Sequence, residues 1–385
     1  MTKLSRLENE GPQTTDGDIA VMNLESARRR AWCRFFQDPL REGVAETVVE
    51  HEQLTAQFVG DLSALDRLES LVNYLTDDPT CARTMLIRAQ VASMMHRFAD
   101  ARHLLTGVDS SAAMVSDVNR LRLNIDQACG TNLDEVLDER RAAARKSGRT
   151  EDLIVLGALF ADLREFAEAD RTYRQALQNY QDVSPFPVAW ASFQLGVLWG
   201  ELVAEPQPAC ATRWYLKAIH CLPVYTKARV HLAEIYSSTG RASDAEAILV
   251  PAVATGDPEA RWRLADVMAL QGKNAAAQED VQAAQIVFES LLKRHLLAFA
   301  DHGAEFYAGS GNDCRRALDL ARVNVSNRPT IRAFEQAHTI AVQAGDAASA
   351  SELLAAATVR WGATRAFQLS PLARHQLNKR EGAAA

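Results

Sequence analysis

The stretch Ala228–Gly256, ARVHLAEIYSSTGRASDAEAILVPAVATG, leaves this chain few folds to choose from. Read at a helical period, it holds two amphipathic segments. Leu232, Ala233 and Tyr236 share one face of the first; Ala245, Leu249 and Ala252 share one face of the second. Between them Ser238-Thr239-Gly240-Arg241 turns the chain. Small Ala233 and Ala245 let two backbones approach, while Tyr236 and Leu249 fill the space beside them. Neither helix buries its stripe alone, so the pair requires neighbours of the same kind.

The sequence supplies those neighbours. The order apolar residue, Leu-Gly or Leu-Ala, aromatic, turn, Ala, large apolar, Ala recurs from about Glu151 to Asp346. One copy carries Leu156-Gly157, Phe160, Phe166, Ala169, Tyr173 and Ala176, and the next Leu195-Gly196, Trp199, Ala211, Tyr215 and Ala218. Leu264-Ala265 with Met268, and Gly303-Ala304 with Tyr307, continue the series. Successive small pairs are 32 to 39 residues apart, around the helix–turn–helix period of about 34 residues that defines the tetratricopeptide repeat. On these residues the chain resembles that family, with degenerate repeats. The resemblance implies an all-α fold, a right-handed α-solenoid whose first helices line a concave groove. Each repeat is then expected to touch only its neighbours, so that the array grows as one piece.

Four regions are expected: residues 1–18 as a flexible arm, 19–150 as degenerate helical repeats, 151–360 as the TPR-like array, and 361–385 as a capping helix with a frayed tail. In the second region, Val44 to Leu75 reads as a worn repeat with its turn near Gly60-Asp61, closed by Asp77-Asp78-Pro79. Cys81 to Val108 fits the pattern better, through Met85, Ala89, Ala92, Phe98, Ala101 and Leu105. Between Gly272 and His295 the second helix of a repeat carries about seven extra residues, which reads as a longer helix on the same face, with a kink or a contacting protrusion as the alternative. The Arg28-Arg29-Arg30 run beside Trp32, Phe35 and Phe36 reads as a solvated helix face against a buried aromatic stripe.

Charge and chemistry narrow the function. A formal net charge of −7 argues against nucleic-acid binding by the whole molecule. No apolar run approaches the ~20 residues of a membrane helix, and the start carries no secretory signal, so a cytoplasmic protein without a membrane partner is expected. The six cysteines lack CxxC spacing and read as reduced thiols. Nucleophile-elbow, Walker and HExxH patterns are missing, so no enzyme activity and no cofactor are expected. His231-Leu-Ala-Glu234 and His302-Gly-Ala-Glu305 each place His and Glu one helical turn apart, the spacing of a bundle metal-ligand pair; convergence with further ligands is not visible in sequence, and no metal is expected.

Projected onto the inward positions that the resemblance implies, the groove receives Trp190, Phe193, Lys227, Glu234, Glu259, Trp262, Asp266, Asp301, Glu305, Arg332 and Glu335. Trp190, Phe193 and Trp262 would form an aromatic patch beside a ladder of carboxylates, the composition of a binding hot spot. The same aromatics equally suit packing between helices. The expected function is a scaffold or adaptor that holds a basic or aromatic peptide or helix of another protein. A regulatory sensor whose superhelix responds to a small ligand or signalling peptide is the alternative.

Overall fold

The structure, a computed structural model, describes residues 12–75, 81–108 and 114–376. Among the described residues it is helical throughout. The helices run Gly17–Gln37 (α1), Val44–Leu54 (α2), Ser63–Tyr74 (α3), Ala82–Met94 (α4), Phe98–Thr106 (α5), Val115–Cys129 (α6) and Leu133–Ser147 (α7). Then come Thr150–Asp162 (α8), Phe166–Asn179 (α9), Pro185–Val197 (α10), Pro208–Cys221 (α11), Thr226–Ser238 (α12), Ala242–Val253 (α13) and Pro258–Leu270 (α14). The last are Asn274–Ala308 (α15), Cys314–Asn327 (α16), Ile331–Gln343 (α17), Ala347–Trp361 (α18) and Arg365–Gln368 (α19). Single π-helical turns follow α2, at Thr55–Val59, and α10, at Leu198–Leu202.

Contacts divide the chain into two compact units. One comprises the described residues of Met1–Asp38, Glu50–Ala64 and Asp134–Lys273; the other those of Pro39–Val49, Leu65–Leu133 and Asn274–Ala385. The boundary at Lys273 falls inside the stretch 151–360.

In the first unit the hairpins α8–α9, α10–α11 and α12–α13 stack in sequence, as the small–large alternation requires. A Cβ added at Gly157 would stand 2.7 Å from the Tyr173 ring, and one at Gly196 2.4 Å from the Tyr215 ring. Glycine is therefore obligatory for these helices to meet. The turn of α12–α13 is made by Gly240 at φ 77°, a left-handed conformation that glycine adopts without strain. The core of this unit runs through Leu195, Tyr215, Tyr225, Leu232, Ala233, Leu249 and Leu264, all buried. Helix α1 packs onto the same core through Ala20 and Leu24. Residues 12–18 of the expected arm are held: the Thr15 amide donates to the Val183 carbonyl at 2.7 Å, and Asp16 caps α1. The arginine run is salt-bridged, Arg28 and Arg29 to Glu25 and Arg28 to Glu52, while the Trp32 indole donates to Glu52 at 2.6 Å.

The second unit departs from nearest-neighbour stacking. The turn after α4 is paired with α16, far along the chain: Asn327 Nδ2 donates to the His96 carbonyl at 2.9 Å. The turn after α6 is paired with α18: Arg360 donates to the Gly130 carbonyl at 3.0 Å, and the Trp361 ring lies against Gly130. Carbonyls exposed at a helix C-terminus demand donors, and here the donors come from repeats some 230 residues later. The longer helix expected between Gly272 and His295 is present: α15 breaks at His295, which separates residues 274–294 from the first helix of the next repeat. His295 leaves helical geometry at φ −133°, ψ 50°, and the chain doubles back so that Phe288 stacks on Phe306 with centroids 4.9 Å apart. At the bend the buried His295 imidazole donates from Nε2 to Asp66 at 2.9 Å. The turn expected at Gly60 is present, at φ 77°; Asp77-Asp78-Pro79 lie outside the described residues.

Replacing Gly196 by alanine drives a methyl group into the Tyr215 ring. Overpacking of this kind costs about 1–3 kcal/mol, so Gly196→Ala is expected to lower the midpoint of urea unfolding while leaving native helicity by circular dichroism unchanged.

Candidate functional site

The residues projected inward divide between the units. Trp190, Phe193, Lys227, Glu234, Glu259, Trp262 and Asp266 belong to the first; Asp301, Glu305, Arg332 and Glu335 belong to the second. In the second, Asp301 is salt-bridged to Arg328, and Glu305 and Arg332 are exposed. In the first, the aromatics do not make an open patch. Phe193 is 8% exposed and packs against Tyr215 and Tyr225, with ring centroids 5.8 and 5.3 Å away. Trp262 is 2% exposed beneath the Arg263 guanidinium, 3.9 Å from the ring centroid. Only Trp190 remains partly open. The Phe193 ring is taken up by Tyr215 of its own hairpin and by Tyr225 at the entry to the next repeat. Lys227 is exposed, and Glu234, Glu259 and Asp266 are partly exposed.

A cluster forms instead around His231 of α12. Its Nδ1–H donates to Glu201 Oε1 at 2.6 Å, and Glu234 Oε2 lies 3.8 Å from the same nitrogen. His231 and Glu234 are the i, i+3 pair legible in sequence. Glu201 arrives from the π-helical turn after α10, a local irregularity frequent at functional sites. Tyr215 of α11 donates its hydroxyl to Glu201 Oε1 at 2.7 Å, and Arg263 of α14 pairs with Glu234 Oε1. The Phe193 and Tyr215 rings wall the imidazole, centroids 5.2 and 5.9 Å away. The side chains of His231, Glu201 and Glu234 are 25%, 33% and 33% exposed, so the cluster opens to solvent.

Burial opposes charge on His231, but Glu201, Glu234 and Glu259 outweigh it and raise the imidazole pKa to about 9. Burial also pushes the Glu234 carboxyl above its ordinary value, against the pull of His231 and Arg263 and with the help of Glu259 and Glu201. Burial, followed by Glu201, keeps the Tyr215 phenol protonated. Among the described residues these three side chains, Glu201, His231 and Glu234, form the group with the composition and proximity to hold a metal ion. The other pair differs: His302 lies 4.0 Å from Asp301, and Glu305 does not join it in such a group. The second unit has a separate hollow of about 470 Å³, lined by Glu69, Arg88, Arg97, Asp100 and His103 among others. Charges of both signs interleave there, which favours no one sign of ligand.

Glu201, Tyr215 and Arg263 were invisible as site residues in the sequence. His231 and Glu201 are separated by 30 positions with no local pattern joining them; only the stacking of α10, α11, α12 and α14 makes them neighbours.

The hairpins and their stacking are those of a tetratricopeptide-like, all-α repeat protein. No family model matches the chain, and the search of curated proteins finds no match. Solved structures do. The chain is similar to PilW, a type IV pilus biogenesis factor, at 14% identity over 57% of this chain and 96% of that one, TM-score 0.32. It is similar to the APC/C hetero-tetramer Cut9–Hcn1 at 15% identity over 87% and 63%, TM-score 0.44. Yeast Tom70 matches at 12% identity over 88% and 85%, TM-score 0.37.

Two outcomes follow from these burials and charges. Trp262→Ala empties a closed interior site and is expected to lower stability by about 3–5 kcal/mol in urea unfolding. His231 has a folded pKa raised above 6.5 to about 9, so its contribution to stability is fully present below pH 6.5 and is lost as pH rises through about 9. The melting-temperature gap between the wild type and His231→Asn should therefore narrow over that window.

Proposed function

We propose that this chain is a non-enzymatic interaction scaffold that holds a basic segment of a partner protein on the first unit. The observation that carries the reading is the accumulation of carboxylates on the first helices of successive repeats. Glu234 on α12 and Glu259 and Asp266 on α14 are all partly exposed, and Glu201 stands beside them. Burial raises the Glu234 carboxyl most, and the nearby charges of Glu259 and Glu201 add to that rise. A lysine or arginine of a partner relieves the repulsion among these carboxylates, and half-open Trp190 offers an apolar contact at the same unit. Carboxylates on such a surface raise the encounter rate with a cationic partner and set its orientation more than they raise affinity. No helix among the described residues is long and apolar enough to cross a membrane.

The test is a fluorescence-anisotropy titration of the full chain with lysine- and arginine-rich peptides, each containing one aromatic residue, and with acidic peptides of the same length. The basic peptides are expected to bind, more weakly as salt is added. Glu259→Gln combined with Asp266→Asn should weaken binding by roughly fivefold to tenfold, about 1 kcal/mol or slightly more, with helicity unchanged. Equal binding of acidic and basic peptides, or indifference to the double substitution, would overturn the reading.

A further inference from the structure

The geometry points to a divalent transition-metal site at Glu201, His231 and Glu234. The three side chains each offer a ligand atom, and these atoms all lie within 4.8 Å of one another. An ion about 2.0–2.2 Å from each donor requires donors no more than about 4.4 Å apart, so the side chains draw together slightly to hold it. Two donors stand one turn apart on α12, which sets their spacing rigidly. The third comes from the π turn at Leu198–Leu202.

The surrounding residues do what the outer partners of a metal site do. Arg263 holds Glu234 by Oε1, while Oε2 is the oxygen that faces His231. Tyr215 holds Glu201 by its hydroxyl, and the Phe193 and Tyr215 rings restrict the imidazole plane. Such partners fix donor orientation before an ion arrives. With His231 neutral as a ligand, the carboxylates Glu201 and Glu234 face one guanidinium, that of Arg263, which leaves net negative charge for a cation.

The donor set selects the class of ion. One imidazole nitrogen and two carboxylate oxygens suit Zn²⁺, Mn²⁺, Fe²⁺ or Co²⁺; the nitrogen disfavours Ca²⁺ and Mg²⁺, and there is no thiolate in the group. On binding, Nδ1 releases its proton to solvent and gives that lone pair to the metal. Both carboxylates remain anionic, and no electron is transferred. Because the donors belong to α12 and to the turn after α10, the ion ties two consecutive repeats together. This site shares Glu201 and Glu234 with the peptide surface proposed above, but the peptide test rests on Glu259 and Asp266 and the metal test on Glu201 and His231, so either reading can fail without the other.

The experiment uses the full chain, stripped with chelator and kept reduced, titrated with zinc chloride by calorimetry and with cobalt(II) chloride by absorption spectroscopy. One equivalent of zinc is expected to bind and to raise the melting temperature. Glu201→Gln and His231→Asn should each weaken binding more than tenfold, and Tyr215→Phe about tenfold. The wild-type cobalt complex should show visible d–d bands without the near-ultraviolet band of thiolate ligation, a readout that does not depend on any variant folding. Absence of stoichiometric uptake overturns the site, as does a thiolate band or equal uptake by the wild type and the folded variants.

Discussion

Two helix axes approach closely only where side chains shrink between them, and the first unit depends on that at Gly157 and Gly196. Each glycine lies under the ring of a tyrosine from the second helix of its own hairpin, Tyr173 and Tyr215. The ring fills what the missing side chain leaves, so the two helices of the hairpin close tightly on each other. Both tyrosines are at most 1% exposed. Hairpins closed in this way present flat apolar flanks, and the buried series Leu195, Leu232, Leu249 and Leu264 carries the contact from one repeat to the next.

The polar cluster grows out of that same contact. Tyr215 packs its ring on Gly196 and turns its hydroxyl to Glu201. One side chain thus links the closure of a hairpin to the position of a carboxylate, which in turn orients His231. Phe193, placed by α10, completes the wall of the imidazole. The charged groups are not added to a finished scaffold; their geometry is set by the rings that make the scaffold possible.

Much of the fold was legible before any coordinates. The α12–α13 hairpin, its glycine turn at Gly240 and the shared faces of Leu232, Ala233, Tyr236, Ala245, Leu249 and Ala252 follow directly from helical spacing, and all six of these side chains are buried. Half of the polar site was legible too, as the His231–Glu234 pair on one helix face. The aromatic patch was not. Trp262 and Phe193 sit at positions that face a neighbouring repeat, and a projection along one helix does not say how far that neighbour advances to cover them. The longer helix that ends at His295 was legible; the contact of His295 with Asp66 was not, because Asp66 lies outside any local window.

By itself the sequence determined that this chain is all helical, that its helices pair into hairpins, and where most hairpins turn. Those properties rest on spacings of three and four residues and on glycines whose left-handed backbone no neighbour has to impose. Tertiary structure alone decided that Glu201 and Arg263 join His231 and Glu234, that Trp262 is enclosed, and that the turns at His96 and Gly130 take their hydrogen bonds from Asn327 and Arg360. Each of these depends on how far one repeat is rotated and shifted against another. That displacement is the sum of many side-chain contacts between segments distant in the chain, and no short stretch of residues carries it.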